Sequence, residues 1–317
     1  MVTNNNQTTI EPTLEFNEQC VHLLRQWRAN EIPFQDAIEG LTQLSKSAEA
    51  ERHTANWGRA EHLLGYMQHY RGNLNTSINH YDRAYRLFAR INNRTRMATM
   101  DLNQGENYRN KGEFMRARRL YRSAYEAAYE LEDIGLQAMA LTNEGLVLIS
   151  MNDLNAAREA LLDALELSQQ WHDDDQLPML HCEIHHGLAT IYLTQDDLQQ
   201  AWEQALLALG TAEFTKEALQ IGYANRILGD VLTAKKVSKT EDGKSIDDYY
   251  RASIQAFKDI RAEGESARSM FAQAKSFAAR NKRLAAAKMF HSAMVIFSKL
   301  GMTDDVAKAA EANLSML

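Results

Sequence analysis

The side chains best suited to hold a metal ion gather in the stretch WHDDDQLPMLHCEIHH, residues 171–186. His181 and His185 lie four residues apart, which on a helix places both imidazoles on one face, the spacing of two zinc ligands. Cys182 points to a different face of that helix, and the sequence has no second ligand-rich segment. We therefore expect these histidines to pack at a boundary between helices, with no metal and no cofactor bound.

Motifs that position a catalytic group are absent from the sequence. It has no Gly-rich phosphate loop, no Gly-x-Ser-x-Gly, no His-Glu-x-x-His and no Cys-x-x-Cys. Catalysis requires a nucleophile or an acid–base pair held in a closed pocket, and nothing in the sequence predicts one. We expect a protein that is not an enzyme and has no catalytic residues.

The composition indicates a soluble, nearly all-helical chain. Of its 317 residues, 45% are apolar and 24% are charged, a balance that excludes global disorder. Three prolines and fifteen glycines are too few for a β-sandwich or a β-barrel. Two cysteines cannot form a disulfide framework, so we expect a cytoplasmic protein. The polar N-terminus predicts no signal peptide, and no stretch approaches the roughly 18 apolar residues of a membrane span.

A forty-residue repeat organises the middle of the chain. The first copy has its small, turn, apolar and second-helix residues at Gly65, Gly72, Leu74, Ser77, Tyr81 and Ala84. The same positions recur as Gly105, Gly112, Phe114, Ala117, Tyr121 and Ala124, and further copies begin at Gly145 and Ala189. Each copy predicts two amphipathic helices joined by a tight turn, with small residues where the helices cross closely.

This pattern resembles the tetratricopeptide repeat (TPR), and LNQGENYRNKGEFMRARRLYRSAYEAA (residues 102–128) looks especially like its forty-residue variety. That variety occurs in cell-polarity scaffolds, bacterial peptide-sensing regulators and maltose-regulator-type transcription activators. The resemblance implies an all-α fold, an α-solenoid of antiparallel helix pairs wound as a right-handed superhelix, whose first helices line a concave groove. Gln104 and Glu144 depart from the family pattern, in which Leu usually precedes the glycine.

The repeat pattern also predicts the boundaries along the chain. We expect a flexible N-terminus over 1–13, a degenerate helix pair over 14–50 and about six repeats over 51–302. A polar insertion near 235–248 predicts either a mobile loop or a helical extension. A capping helix is expected over 303–317, with Thr303 as its N-cap.

The resemblance implies that groove-facing residues lie on the first helices at fixed offsets from the small residue. The candidates for binding a peptide or another partner are Arg59, His62, Tyr66, Tyr70, Asn103, Glu106, Arg109, Asn143 and Arg226. Aromatic rings, asparagine amides and guanidinium groups are the side chains that anchor a peptide. Two alternatives stay open: Asn103 and Asn143 could bond neighbouring helices, and the pair Tyr66 and Tyr70 could pack between repeats.

Charge alternates in sign along the sequence. The net charge is −5 over residues 1–51, +7 over 52–130, −14 over 131–217 and +5 over 218–317, which gives −7 for the whole chain. An overall acidic protein is not expected to bind nucleic acid. The alternation permits a homo-oligomer in which one molecule's basic band meets another's acidic band, whereas the alternative for the basic band is a solvated face with local ion pairs.

Together these observations predict a non-catalytic adaptor or scaffold that binds a protein or peptide through the groove. An alternative is a ligand-sensing regulator of the TPR type, responding to a peptide or a small molecule. A further alternative is a self-assembling structural subunit. The sequence does not identify the partner.

Overall fold

The computed structural model describes residues 10–29, 31–173 and 176–315, and within them the chain forms α-helices and no β-strands. Residues 1–9, which include most of the predicted flexible N-terminus, lie outside the described residues. The chain divides into a first unit, Met1–Val147, and a second unit, Leu148–Leu317. None of the described helices has the length and apolar character needed to cross a membrane.

The helices alternate between the first and second member of successive pairs. Those that begin in the first unit are α1 (Leu14–Arg28), α2 (Phe34–Ala50), α3 (Thr54–Tyr70), α4 (Leu74–Arg90), α5 (Arg94–Asn110), α6 (Phe114–Glu130) and α7 (Ile134–Ser150). Those of the second unit are α8 (Leu154–Ser168), α9 (Leu177–Thr194), α10 (Leu198–Thr215), α11 (Ala218–Lys235), α12 (Ile246–Asp259), α13 (Glu263–Ala279), α14 (Arg283–Lys299) and α15 (Thr303–Leu314). The fold is therefore an all-α helical repeat.

Three-residue turns join most of the helices, and a residue in the left-handed conformation ends the preceding helix in each. Gly72 and Gly112 take this role inside the first two repeats, with φ of 79° and 78°. Asn92 takes it between those repeats, with φ of 54°, and there the amide of Asn93 donates to the carbonyl of Phe88 at 3.0 Å. These contacts satisfy the last carbonyl groups of each helix and set the antiparallel direction of the next one.

Second-helix aromatic residues form much of the core of several repeats, whereas Leu161 takes the equivalent position in α8. Tyr81 and Tyr121 are buried in the first unit, and Tyr250, Phe257 and Phe290 are buried in the second. Buried alanines occupy many of the other second-helix positions of the repeat pattern. They are Ala84, Ala117, Ala124, Ala157, Ala164, Ala201, Ala205 and Ala208. Because each ring fills the space that a small first-helix residue leaves, the two helices of a pair pack closely.

First helices of successive repeats also contact each other within each unit. In the first unit α3 packs against both α1 and α5, and in the second unit α11 packs against both α9 and α13. Side chains at the same register of neighbouring first helices are therefore brought together. This arrangement positions the candidate site.

The connection between α11 and α12 is a closed turn. Lys239 and Ser245 form an isolated antiparallel bridge, and the Thr240 amide donates to the Lys244 carbonyl at 2.9 Å. Ser245 then caps α12 in a capping box with Asp248. The polar segment thus ends in a defined helix start.

The last helix begins at Thr303, the first residue of the predicted capping helix, but its N-cap differs from the one that the sequence predicts. Thr303 is already helical, so the predicted N-cap is wrong, and Met302 occupies that position without a side-chain hydrogen bond. The reason is the preceding turn, in which Gly301 has φ of 69° and accepts a hydrogen bond from the Thr303 amide at 3.0 Å. The turn geometry therefore decides where the helix starts.

Candidate functional site on the first helices

Polar side chains of α3 and α5 meet on one face of the first unit. Arg59, His62 and Tyr66 project from α3 at helical spacing, and Arg96 and Asn103 project from α5 seven residues apart. The Asn103 amide nitrogen donates to His62 Nε2 at 3.1 Å, and an Arg59 Nη lies 3.4 Å from His62 Nδ1. We call the surface formed by Arg59, His62, Arg96 and Asn103 the first-helix face.

The first-helix face carries positive charge that its surroundings only partly balance. Burial and the neighbouring Arg96 together lower the pKa of Arg59 to about 10, against the opposing effect of Glu11. Burial also holds the pKa of His62 well below its usual range, with Arg59 and Arg96 adding to the effect. His62 is therefore neutral at pH 7, and the charge of the face comes from the two guanidinium groups.

Tyr66 and Tyr70 pack against α1. Their rings lie 5.1 Å apart, and Trp27 meets the ring of Tyr70 edge-on at 5.7 Å. Arg28 donates a hydrogen bond to the Tyr66 hydroxyl and lies over the Tyr66 ring. Most of this aromatic surface is used in packing between helices, the alternative that the sequence left open.

Glu106 and Arg109 belong to a second polar cluster, one turn further along α5. His69 Nε2 lies 3.5 Å from a Glu106 oxygen, and an Arg109 Nη lies 3.8 Å from the same oxygen. His69 Nδ1 is 2.7 Å from the side-chain oxygen of Asn107. Burial lowers the pKa of His69, but the Glu106 carboxylate and the hydrogen bond with Asn107 raise it by more, so the net shift is upward.

The structure does not join the two remaining candidates to this face. The Asn143 amide nitrogen donates to the Met139 carbonyl of its own helix at 3.0 Å. Arg226 belongs to the second unit, where it donates to Glu265 at 2.9 Å and lies over the rings of Tyr223 and Phe257. Both side chains are engaged locally.

Sequence reasoning missed the part of the site that lies at the start of α3 and α5. The side-chain amide nitrogen of Asn93, Nδ2, donates to the carbonyl of Ile10 and to Glu11 Oε1, both at 2.8 Å. Asn56 Oδ1 accepts from the amide of Thr13 at 2.9 Å. Asn93 directly precedes α5, so the repeat register could have indicated it as a capping residue, but not its contacts with the N-terminal segment.

The histidine-rich stretch is bonded to neighbouring helices. His181 Nε2 is 2.9 Å from Ser168 Oγ, His185 Nδ1 is 2.7 Å from Gln204 Oε1, and Cys182 Sγ donates to the Ala208 carbonyl at 3.6 Å. No group of three His, Cys, Asp or Glu side chains suited to a metal occurs among the described residues. Two aspartates of this stretch, residues 174 and 175, lie outside the described residues.

The sequence matches the family model of the MalT-like TPR region over residues 35–238. This match spans more than half of the chain, so the protein belongs to the MalT-like TPR family, and the predicted resemblance to TPR proteins is confirmed. No curated protein sequence matches the chain.

Three solved structures resemble this fold. A Rap protein complexed with the competence and sporulation factor has a TM-score of 0.64 and 12% identity, covering 100% of this chain and 88% of that one. The Rap conjugation gene regulator of plasmid pLS20, in complex with the Phr* peptide, has a TM-score of 0.61 and 13% identity, covering 96% and 97%. The apo form of the quorum sensor NprR from B. thuringiensis has a TM-score of 0.54 and 12% identity, covering 96% and 89%. At this identity the likeness establishes the shared helical-repeat fold.

Proposed function

We propose that the protein is a non-catalytic adaptor that binds an extended peptide or protein segment on the first-helix face of its first unit. The observation that carries this proposal lies beside this face. There, two asparagines, one on α3 and one directly before α5, bond main-chain groups of the chain's own N-terminal segment. Asn93 donates to a backbone carbonyl at 2.8 Å, and Asn56 accepts from a backbone amide at 2.9 Å. An amide side chain can pair with a peptide backbone as donor and acceptor, whatever the sequence of that peptide.

Preorganisation is the proposed source of affinity. Packing between α3, α5 and their neighbours holds His62 and Asn103 in contact at 3.1 Å, and Arg59 is held by Asn17, whose Oδ1 accepts from Arg59 Nε at 2.8 Å. Side chains that are already ordered lose little conformational entropy when a ligand binds. The remaining candidates contribute less in this proposal, because Tyr66, Tyr70, Asn143 and Arg226 are engaged in packing or local hydrogen bonds.

A ligand-sensing regulator is the second candidate function. It is favoured by two of the similar structures, a Rap protein in complex with the competence and sporulation factor and a Rap conjugation gene regulator in complex with the Phr* peptide. In this version, binding on the first-helix face would shift the population of a second conformation of the protein. Both candidates would gain thermal stability when a peptide binds, so the regulator is distinguished by a change in the conformation of the full chain on binding, whereas an adaptor keeps the conformation that it has without the peptide.

Self-assembly through the charge bands is the third candidate. Several arginines of the basic band are used in ion pairs with nearby carboxylates: Arg83 with Glu61, Arg86 with Asp82, Arg116 with Glu113 and Arg122 with Glu144. These pairs reduce the charge available to a second molecule. A molecular mass in solution that falls when salt is raised from 0.05 to about 1 M would favour self-assembly, since salt screens contacts between exposed charges.

In this proposal, the free state of the two cysteines indicates the cellular compartment of the protein. Cys20 and Cys182 are both free and buried, and burial raises the pKa of each thiol to about 12. Such thiols are chemically inert. We place the protein in the cytoplasm, where free thiols are the rule.

A library of random peptides tests the proposed function. Full-length protein, its Asn103→Ala variant and its Asn75→Ala variant are each immobilised, and retained peptides are sequenced and their affinities measured. Asn75 is an exposed asparagine on the second helix α4, so its variant is a matched control. We expect peptides that bind wild type and Asn75→Ala equally and bind Asn103→Ala on the order of fivefold more weakly, the loss of about one hydrogen bond. Peptides that bind all three proteins equally would place the binding surface elsewhere.

A further inference from the structure

The N-terminal segment Ile10–Thr13 lies across the starts of α3 and α5. Its contacts with Asn56 and Asn93 join residues more than forty positions apart in the sequence. Next in the chain, Thr13 caps α1 by accepting from the Phe16 amide, and Asn17 accepts from Arg59. The segment therefore runs directly into the helix that borders the first-helix face.

The part of the segment next to α1 is extended, as the backbone of a bound peptide often is. Proline fixes its own φ and disfavours helical geometry in the residue before it, so Pro12 restricts Glu11 to extended conformations. Thr13 is also extended, with φ of −63° and ψ of 147°. The Ile10 carbonyl and the Thr13 amide thus bond the side chains of Asn93 and Asn56.

Glu11 supplies the charged contact of this segment. Its Oε2 accepts from Arg96 Nη at 2.9 Å and from Arg96 Nε at 3.2 Å, while Oε1 accepts from Asn93 at 2.8 Å. Both carboxylate oxygens are therefore bonded, Oε2 by two N–H groups of the Arg96 guanidinium in charge-assisted hydrogen bonds and Oε1 by Asn93. Arg59, which donates to Asn17 at 2.8 Å, adds positive charge in the neighbourhood of Glu11 and Arg96.

We propose that Asn93 and Arg96 form a subsite for an acidic side chain of an extended peptide, and that Glu11 occupies it until such a peptide displaces the segment Ile10–Thr13. This inference rests on the proposed function and adds to it the chemical class of the ligand and a self-occupied resting state. The carboxylate of the chain's own segment defines which ligand group the subsite accepts.

Displacement is physically accessible because the charged contact is half-exposed. The side chain of Glu11 is 59% exposed and that of Arg96 is 28% exposed, so water can replace their hydrogen bonds as they separate. A ligand competes against a group that is tethered to the same chain and therefore present at high effective concentration. Its apparent dissociation constant is the intrinsic one divided by the fraction of molecules with an open subsite. Weakening the hold on Glu11 should therefore strengthen binding of an external acidic peptide.

Two labelled probes test this inference with the full-length protein. Both probes are fluorescent, end-capped peptides based on residues 10–15 with glutamine at the last position: the acidic probe is IEPTLQ, and the neutral probe is IQPTLQ, in which glutamine also replaces the glutamate corresponding to Glu11. Dissociation constants are measured by anisotropy for wild type and the Glu11→Gln variant, with Glu15→Gln as matched control. Glu15 is an exposed glutamate in the first turn of α1. The variants Glu11→Gln and Glu15→Gln therefore make the same chemical change at two different positions.

We expect Glu11→Gln to bind the acidic probe on the order of fivefold more tightly than wild type, and Glu15→Gln to bind it as wild type does. Within Glu11→Gln, the acidic probe should bind more tightly than the neutral one, and adding Arg96→Gln should abolish that preference. Raising the salt concentration should reduce the preference as well. Equal binding of the two probes, or equal affinity of wild type and Glu11→Gln for the acidic probe, would overturn the inference.

The random-library experiment separates this failure from failure of the proposed function. Library peptides that depend on Asn103 but show no acidic preference and no response to Glu11→Gln would leave the proposed function standing and remove the acidic subsite. Absence of any peptide that depends on Asn103, together with no binding of either probe, would remove both.

Discussion

The ring of Tyr121 packs directly on the backbone of Gly105. A Cβ atom added at Gly105 would lie 2.4 Å from Cε1 of this ring and 2.8 Å from Cδ1, far inside van der Waals contact. Tyr121 is fully buried, so its ring has no free space into which to move. The same relationship holds one repeat earlier between Gly65 and Tyr81. In these two repeats, the spacing between the glycine and the tyrosine in the sequence thus reflects one packing contact between the two helices of the pair.

Gly105→Ala is therefore expected to destabilise the first unit by about 2–3 kcal/mol, because overpacking forces the ring or the helix to shift. Thermal or urea unfolding followed by circular dichroism measures this effect. The matched control is Gly210→Ala in α10, where an added Cβ meets no atom within 4 Å. There, alanine should stabilise by about 0.5–1 kcal/mol through its higher helix propensity. Equal effects of the two substitutions would contradict the packing argument.

Asp101 and Glu61 occupy equivalent positions of neighbouring repeats but have different partners. Glu61 accepts hydrogen bonds from Ser45 at 2.7 Å and from Arg83 at 3.3 Å, and lies 2.8 Å from His80 Nδ1. Burial raises the pKa of Glu61, but these partners lower it by more. Asp101 accepts from Ser123 at 3.0 Å, which does not offset its burial, and its pKa is raised to about 6.

Asp101→Asn should consequently stabilise the protein at pH 8 by about 1 kcal/mol, since a buried carboxylate would no longer need to be charged. The folded-state pKa of about 6 exceeds the usual 3.8, so the folded protein binds more protons between these values. The free energy of unfolding of wild type should therefore include a contribution that falls as pH rises from about 4 to 6, and the variant should lack it. Urea unfolding at pH 4.5 and pH 8 tests this. Glu61→Gln is the control, and it should destabilise at pH 8.

His62 and His69, two turns apart on α3, should titrate at well separated pH values. The pKa of His62 is lowered by burial and by Arg59, whereas that of His69 is raised by Glu106 and Asn107 against the effect of burial. A raised folded-state pKa means that the stabilisation from charged His69 is complete below about pH 6.5 and is lost as pH rises through the folded-state value. Glu106→Gln should lower the pKa of His69 and leave that of His62 unchanged. Histidine ring signals in NMR titrations measure both, and a joint shift would contradict the assignment.

Much of the fold could be predicted from the sequence, because each helix pair is determined by residues that lie close together in the chain. Small residues, turn residues and aromatic residues within forty positions determine a helix pair, so the spacing of Gly105, Gly112 and Tyr121 is sufficient to predict it. The register also places Asn103 next to the preceding first helix, since first helices of neighbouring repeats are adjacent. The role of His62 and Asn103 in binding a partner stays a prediction.

What the sequence could not supply are contacts that depend on the chemistry of a distant residue. Asn103 and Asn143 have the same register, yet only Asn103 bonds across to the preceding first helix. Its partner His62 lies 41 positions earlier, and the residue 41 positions before Asn143 is Leu102, which has no polar atom to offer. Asn143 therefore bonds its own helix. Likewise, the contact between Glu11 and Arg96 spans 85 positions and obeys no repeat period.

Glu265 joins three helices of the second unit through two arginines. Its oxygens accept from Arg226 at 2.9 Å and from Arg268 at 2.5 Å, and Arg268 also donates to Asp305 at 3.2 Å. Burial raises the pKa of Glu265, but Arg268 and Arg226 lower it by more, to about 2. Arg226, a candidate for partner binding, is thus held in a network that links α11, α13 and α15.

Glu265→Ala should destabilise the second unit by about 3 kcal/mol, because two poorly exposed arginines would then face each other without a carboxylate between them. Glu263→Ala on the same helix is the matched control. Glu263 pairs with Lys299 at the surface, so its loss should cost less than about 1 kcal/mol. With a folded-state pKa near 2 against the usual 4.5, the contribution of Glu265 is present above about pH 4.5 and is lost as pH falls toward 2. Chemical unfolding at pH 7 and pH 3 measures both effects. A loss for Glu265→Ala no larger than that for Glu263→Ala would mean that the network does not hold these helices together and would return Arg226 to the set of candidate binding residues.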